Sequence, residues 1–327
     1  MHLLSRVGQY VLVVWLAFTL SFFLLYVLPS DSASLLFDPT QTGGSGDGTA
    51  SVDRMREYYG LDKSVWEQYA MRLGGVLRGD FGISVRTGES AWSMVTAVLP
   101  NTLVLAALAL VLAICFALGV ALLTVQDRFR RLAGLAASLP SVAVSAPVFL
   151  VGLLLIHVFA MRLGWFPVIG GDGLSGLVLP AVTLAVPVGA PIAQLLVRNL
   201  AREMEAPYVT VLRAQGASTM WILRKNALKN ACLPALTIAG LTLGHLIGGT
   251  VIVETVFSRS GVGRLTETAV RTQDLPLIQA IVVLGAVVFS LVNLAVDVIY
   301  PLLDPRVKVP ARQSGRAVRR QAAMSSG

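Results

Sequence analysis

Residues that could carry out covalent or metal chemistry are few in this sequence and lie far apart. The histidines are His2, His157 and His245, and the two cysteines, Cys115 and Cys232, show no CxxC spacing. The sequence has no GxxxxGK(S/T) loop for a nucleotide, no HExxH pair for zinc and no GxSxG turn for a nucleophile. We therefore predict that the chain is not an enzyme and binds no metal and no cofactor itself.

The polar pair Asn293 and Asp297 lies in apolar surroundings near the C-terminus. The two residues are four apart and share one helix face, and a charged group on such a face is unfavourable in lipid. A role in transport is one interpretation. We favour a structural hydrogen bond, because Asp297 lies close to the end of its apolar run at Pro301.

Small residues and prolines indicate how the apolar runs pack. Gly240, Gly244 and Gly248 form two overlapping GxxxG patterns, a spacing that lets another helix backbone approach closely. Interior prolines bend helices, either around a pathway or simply for packing. Two of the apolar runs contain several of them: Pro140, Pro147, Pro180, Pro187 and Pro191.

The most informative segment is polar and basic, yet it lies between long apolar runs. It reads YVTVLRAQGASTMWILRKNALKNACLP, from Tyr208 to Pro234. A basic loop that merely follows membrane topology would account for its lysines and arginines, but not for Gly216 or Trp221. Two short helices joined at Gly216, the residue type that best adopts positive φ, would form a rigid L-shaped knob. We predict that this knob docks a soluble motor.

Composition places these segments in a membrane protein. Hydrophobic residues make up 55% of the 327 residues and charged residues only 13%. A helical span needs roughly 20 apolar residues. Six windows qualify: 8–28, 100–124, 136–160, 178–199, 233–253 and 277–302. We predict an all-α protein with six transmembrane helices, in which an uncleaved first helix is favoured over a secretion signal.

The positions of Lys and Arg predict the orientation. With the N-terminus inside, the inner segments hold sixteen of the 26 basic residues and a net charge of +12, whereas the outer segments carry −3. Both termini are therefore expected in the cytoplasm. Because topology alone accounts for the basic excess, we predict that the chain lies in the lipid bilayer and binds no nucleic acid.

The chain is expected to divide into four parts. Residues 1–29 form the first helix, 30–93 a small extracytoplasmic domain that is rich in Gly, Asp and Ser around 42–51, and 304–327 a basic cytoplasmic tail. Between them, 94–303 form a core of five spanning helices, which includes the docking loop at 201–232.

Several motifs resemble one family of transport proteins. RAQG and NALKNACLPALT in the polar loop are similar to the family motifs RAKG and HALRNALLPxLT, and GGTVIVETVFSRSGVGRL and NLAVDVIYPLLDPRV are similar to its last two helices. The chain resembles, over nearly its whole length, the first membrane subunit of bacterial ABC importers for dipeptides, oligopeptides and nickel. It departs from the pattern at Gln215, where Lys is usual, and at Asn226, where His is frequent.

The resemblance implies a type I ABC importer permease fold in the bacterial inner membrane and a mechanism of alternating access. The implied partners are a second homologous permease, one or two ATPase subunits that bind ATP and Mg, and an extracytoplasmic substrate-binding protein. The resemblance assigns ATPase docking to the polar loop, at Tyr208, Val209, Arg213, Ala214, Gln215, Gly216 and Trp221.

The cargo remains open among dipeptides, longer peptides, nickel and metal chelates. We favour peptides, because no Cys/His cluster points to bare metal. The alternative from another class is an ion-coupled carrier that works without an ATPase. Such a carrier should show inverted repeats and paired broken helices, and no convincing repeat is visible. An intramembrane enzyme would need a catalytic pair, which is also missing.

Overall fold

The computed structural model describes residues 2–27, 63–84, 86–125, 130–168 and 173–303. The Gly-rich part of the outer segment and the basic tail lie outside these residues. Within them the chain is helical, and its one β-bridge joins Ile83 to Ser90. The helices are α1 His2–Phe22, α2 Val65–Leu77, α3 Ala91–Val125, α4 Arg130–Ser145, α5 Val148–Leu155, α6 Ser175–Met204, α7 Pro207–Ala214, α8 Thr219–Ile222, α9 Leu228–Val256, α10 Val262–Arg271 and α11 Leu275–Leu303.

All six predicted windows fall on helices. Four stretches of the described chain are long and apolar enough to cross a membrane singly: Arg6–Tyr26, Ala91–Val125, Ser175–Met204 and Leu275–Val298. The window at 233–253 lies inside α9, which has 29 residues and is therefore roughly 43 Å long. The second span starts nine residues before its window, because the helix passes Pro100 without a break.

The third window is a broken helix, whereas the sequence suggested a single run. Ala137–Ser145 and Val148–Arg162 meet at 107°. Pro147 lies at the break, where it has no amide proton to donate and disfavours helical geometry at the preceding residue. The three prolines of α6, in contrast, lie inside one uninterrupted helix. Proline position therefore did not predict which helix breaks.

The centre of the bundle is the contact between α3 and α6. Small side chains follow one face of α3 at intervals of four, and Ala109, Ala113 and Ala117 are at most 1% exposed. On the opposing helix, a Cβ at Gly189 would lie 2.8 Å from the Ala113 carbonyl oxygen. The two backbones are thus close enough that only glycine fits at this position. The apolar runs that predicted the six spans did not indicate which face of α3 packs against another helix.

α1 packs antiparallel to α11. Near the start of α1, Tyr10 donates a 2.8 Å hydrogen bond to Asp297 Oδ2, and Arg6 lies 3.1 Å from the same oxygen. Near the other end, Phe22 is fully buried with Leu275, the first residue of α11. The start of α1 and the end of α11 therefore lie at one end of the bundle.

The described residues between α1 and α3, 63–84 and 86–90, are fixed to the start of α11. Ser84 donates a hydrogen bond to the carboxylate of Asp274, which is 2% exposed. The other carboxylate oxygen of Asp274 accepts from the Leu277 amide at 3.3 Å and caps the helix. Phe81 stacks on Trp92, with 5.4 Å between the ring centroids. These contacts connect residues 81–92 directly to the membrane bundle.

Replacing Asp274 by alanine should destabilise the protein by about 2–4 kcal/mol, because the change removes a helix cap and leaves Ser84 buried without its acceptor. Thermal unfolding in detergent would measure the loss. The matched control is Asp80→Ala, since Asp80 is exposed and its carboxylate accepts from the Gly82 amide in the same turn. Equal midpoints for both variants would contradict the assigned role.

Candidate functional site

The polar segment turns at Gly216 as predicted, and α7 before the turn is a short helix. The helix after the turn, α8, is not a separate short helix as predicted, because it continues through Leu223–Ala227 into α9. α7 begins with Pro207 at its first position. It ends in a Schellman motif, in which Gly216 N donates to Arg213 O and Ala217 N to Leu212 O, both at 3.0 Å. Gly216 has φ +86°. The left-handed turn expected from the sequence is therefore confirmed.

The second short helix is held at both ends. Ser218 caps α8 by accepting from the Trp221 amide at 3.3 Å. Ile222 and Leu223 are 0% and 1% exposed, and Leu223 belongs to the apolar cluster that includes residues of α3 and α6. A π-helical segment, Leu223–Ala227, then leads directly into α9. The Gly216 turn is thus a rigid projection from a long helix.

The predicted docking residues divide into an exposed and a buried group. Arg213, Ala214, Gln215 and Gly216 are exposed, and Trp221 is 47% exposed. Val209 is only 1% exposed, so within the predicted docking loop it is a buried residue that holds α7 in place. Two large apolar side chains that we did not single out, Val211 and Met220, are exposed on the same projection.

Tyr208 ties α7 to the preceding helix. Its hydroxyl donates to Glu203 Oε2 at 2.8 Å, and Asn230 of α9 donates to the same oxygen at 3.1 Å. Burial first, and then the hydrogen bond to Glu203, raises the pKa of the Tyr208 phenol above its ordinary value of 10.0. The phenol therefore remains a donor at neutral pH. One carboxylate joins α6, α7 and α9.

Replacing Tyr208 by phenylalanine should loosen this junction by about 1 kcal/mol, the usual net value of one hydrogen bond. Since the folded-state pKa is raised, the contribution of the bond is fully present below the ordinary pKa and is lost as pH rises through the higher folded value. Thermal midpoints at pH 7 and at a pH above the raised folded pKa of Tyr208 would test this. A wild-type advantage that persists at the high pH would contradict it.

The predicted polar pair, Asn293 and Asp297, and the predicted packing glycines are not part of the Gly216 turn. Asp297 binds Tyr10 and Arg6 as described above, whereas Asn293 donates to Phe289 O within its own helix at 2.8 Å. Neither residue contacts the Gly216 turn through these bonds. They join helices or close a helix turn, in line with the favoured structural interpretation.

Only part of the glycine pattern packs as predicted. A Cβ at Gly240 would lie 2.9 Å from Val296 of α11. At Gly248 no described atom lies within 4 Å of an added Cβ, so helix packing at this glycine stays a prediction. Its neighbour Gly249 makes the close contact, with Leu184 of α6. Gly244 lies in α9, but its surroundings are outside the described residues.

One buried acidic residue was not predicted as a site, although it lies in the motif GGTVIVETVFSRSGVGRL. Glu254, near the end of α9, is 1% exposed and accepts hydrogen bonds from Thr102 and the Gly263 amide. The signal was available, since a carboxylate at the end of an apolar run is followed by the glycines of SGVG. Among the described residues, no group of three or more His, Cys, Asp or Glu side chains is placed to hold a metal ion.

The helices and the projecting Gly216 turn define a multi-pass membrane protein of the importer permease class. The chain belongs to the family of binding-protein-dependent transport system inner membrane components, whose sequence profile matches residues 113–309. The profile of the N-terminal region of these membrane components matches residues 1–106. The protein is a bacterial ABC importer permease.

Curated relatives cover almost the whole chain. The glutathione transport system permease protein GsiC of Escherichia coli (strain K12) is 30% identical over 307 residues, which cover 94% of this chain and 98% of that protein. The "Probable peptide ABC transporter permease protein y4tP" of Sinorhizobium fredii is 33% identical over 315 residues, with 94% and 99% covered.

The fold is also found in a solved structure. An inward-facing form of the MetNI methionine ABC transporter matches with a TM-score of 0.53 and 21% identity, covering 64% of this chain and 95% of the matched chain. This likeness concerns the fold alone. The type I ABC importer permease architecture expected from the sequence is thereby confirmed.

Proposed function

We propose that this chain forms half of the membrane pathway of an ATP-driven importer for peptides. The observation that carries the motor part of the proposal is the Gly216 turn. It is rigid, it projects from the bundle, and its exposed residues include Trp221 and Met220, which are apolar side chains suited to contact a protein. The peptide cargo is supported by relatives named for glutathione and peptide transport.

The partners follow from this arrangement. A second homologous permease completes the pathway, one or two ATPase subunits bind ATP and Mg and press on the Gly216 turn, and a substrate-binding protein delivers the peptide on the other side. This chain supplies no nucleotide site. Nickel or a metal chelate is the alternative cargo in the same family, but the described residues contain no cluster of metal ligands to favour it.

The orientation belongs to the same proposal. The start of α1 and the Gly216 turn are expected on the cytoplasmic side, because the inner segments then hold most of the Lys and Arg. Labelling with a membrane-impermeant thiol reagent would test this in a Cys115→Ala, Cys232→Ala background. Thr219→Cys should react only in inverted vesicles, and Thr268→Cys only in right-side-out vesicles or spheroplasts.

Affinity purification from the native membrane in mild detergent, followed by mass spectrometry, tests the partners. We expect a second permease and one or two subunits with Walker motifs. Reconstituted vesicles should then accumulate labelled di- or oligopeptides only when ATP and the binding protein are present. A chain that is recovered alone and is active without ATP would instead be an ion-coupled carrier.

A further inference from the structure

A continuous helical rod connects the Gly216 turn to the opposite end of the bundle. α8, the π-helical segment and α9 follow one another without interruption from Thr219 to Val256. At 1.5 Å per residue this helical stretch has a contour length of roughly 55 Å, which exceeds the roughly 30 Å of a bilayer's hydrocarbon core, and it includes the π-helical segment and Pro234, where helices commonly bend. Its length is therefore sufficient to connect the Gly216 turn with the far side of the membrane core.

Glu254 lies at the far end of this rod. Its Oε1 accepts a 2.7 Å hydrogen bond from Thr102 of α3, a residue 152 positions away in sequence. Its Oε2 accepts from the Gly263 amide at 2.6 Å, in the first turn of α10, and the Arg264 amide donates to the same carboxylate. Thr102 Oγ1 in turn accepts from the Val262 amide at 2.8 Å. One side chain thus joins α3, α9 and α10.

The backbone around this carboxylate is built to admit it. A Cβ at Gly261 would overlap the Glu254 carboxylate, and one at Gly263 would overlap the backbone at Val251. Glycine is therefore required at Gly263 by the close backbone, and at Gly261 it is required as long as the Glu254 carboxylate keeps this position. We call Thr102, Glu254 and Gly261–Gly263 the Glu254 clamp.

Two further side chains secure the loop that carries the clamp. Asn101 of α3 donates to Ser260 O at 2.8 Å, and Arg259 donates to Gly176 O, at the start of α6, also at 2.8 Å. Ser258, just after α9, has φ +51°, a strained value for a non-glycine residue. The contacts hold this strained turn against α3 and α6.

A buried carboxylate is a poor choice for stability alone. Apolar side chains of similar volume often stabilise a fold as well or better, whereas a hydrogen-bonded acid fixes the geometry of the groups it binds. The clamp therefore favours one fixed arrangement of α3, α9 and α10. The α8–α9 stretch can transmit a displacement to α3 and α10 only if the contacts between these helices keep their geometry.

We propose that Glu254 is a positioning residue for transport, which fixes α3 and α10 to the far end of the α8–α9 rod so that this end of the bundle moves as one body. The proposal rests on the proposed function in one respect, namely that the movement begins at the Gly216 turn. Glu254 is 1% exposed, so its proposed role lies within this chain. It acts by preventing deformation within the chain.

Rigidity can be measured without transport. The full chain, in the Cys115→Ala, Cys232→Ala background and purified in lipid nanodiscs with the subunits that accompany it, is spin-labelled at Thr219→Cys and Thr268→Cys. Pulsed EPR should give a narrow distance distribution, and Glu254→Ala should broaden it about twofold. Glu254→Gln should keep it narrow, because the amide oxygen still accepts from α10 and the amide nitrogen can donate to Thr102.

The control pair is Thr219→Cys with Thr255→Cys, which lies along the rod alone. Its distribution should stay narrow in every variant. If Glu254→Ala does not fold, Thr102→Val provides the test, since it removes both hydrogen bonds of the Thr102 hydroxyl, to Glu254 and from the Val262 amide, and keeps the shape. A distribution in the folded alanine or valine variant that is as narrow as that of the wild type would overturn the proposal.

Transport supplies a second readout that a purely structural role would not change. Uptake per ATP hydrolysed should fall about tenfold in Glu254→Ala and in Thr102→Val, while hydrolysis per assembled complex persists. Glu267→Gln, which removes an exposed ion pair with Arg271, should behave as wild type. A parallel loss of uptake and hydrolysis, or no change in their ratio, would contradict the positioning role.

The two proposals fail in different ways. A wild-type complex without ATP-dependent uptake would refute the proposed function, and the distance distributions would still decide whether the clamp is rigid. A wild-type complex that transports normally, with no broadening in the clamp variants, would refute the positioning role alone.

Discussion

Replacing Gly216 by proline is expected to abolish ATP-dependent uptake while the chain still inserts into the membrane. Gly216 has φ +86° and donates its amide to Arg213 O. Proline fixes φ near −65° and has no amide proton, so the turn would lose about 3 kcal/mol or more. That loss lowers the population of the native turn by about 100-fold. Uptake by reconstituted vesicles and the amount of inserted protein would be measured together.

Gly216→Asn is the matched control. Asparagine tolerates the left-handed conformation far better than other residues with a Cβ, and no described atom lies within 4 Å of the added Cβ. The asparagine variant should therefore retain most of the uptake. Normal uptake by the proline variant would show that the geometry of this turn is not needed and would remove the basis for a docking role.

The second large effect is expected at the contact between α3 and α6. Valine at Gly189 would place its Cβ 2.8 Å from the Ala113 carbonyl oxygen and 3.1 Å from Phe116 Cδ1. Since backbone cannot move aside as a side chain can, the helices must separate. We expect a loss of about 3 kcal/mol, or roughly 10 °C in the midpoint of thermal unfolding.

Gly119→Val tests whether the effect is specific to this contact. Gly119 lies on α3, and no described atom is within 4 Å of a Cβ built there. The same added volume should therefore change the midpoint by less than about 2 °C. Both variants would be compared by fluorescence-detected size exclusion after heating in detergent. Similar midpoints would mean that the two helices do not pack as closely as described.

Local sequence determined where the helices lie and where the polar loop turns. Apolar runs of about 20 residues have few options other than a membrane span, and all six windows coincide with helices. Gly216 was predictable for a similar reason, because a helix end followed by glycine commonly takes positive φ. Motifs spread over the whole length also specified the permease family, which the comparisons confirm.

Tertiary structure alone decided which residues make contacts across the bundle. Local periodicity shows that a face is small or apolar, but not which helix it meets. Hence Gly249 rather than Gly248 packs against α6. For the same reason Val209 anchors α7 instead of lying on its exposed face, and the chain breaks at Pro147 rather than at a proline of α6.

The Glu254 clamp shows the physical reason most clearly. Its hydrogen bond to Thr102 joins residues 152 positions apart. A buried acid can be read from sequence as an unusual residue in an apolar run, but the groups that satisfy it are fixed only when α3, α9 and α10 come together. The sequence by itself therefore determined the spans, the turn and the family, and the packing of distant helices decided the contacts through which those parts can act together.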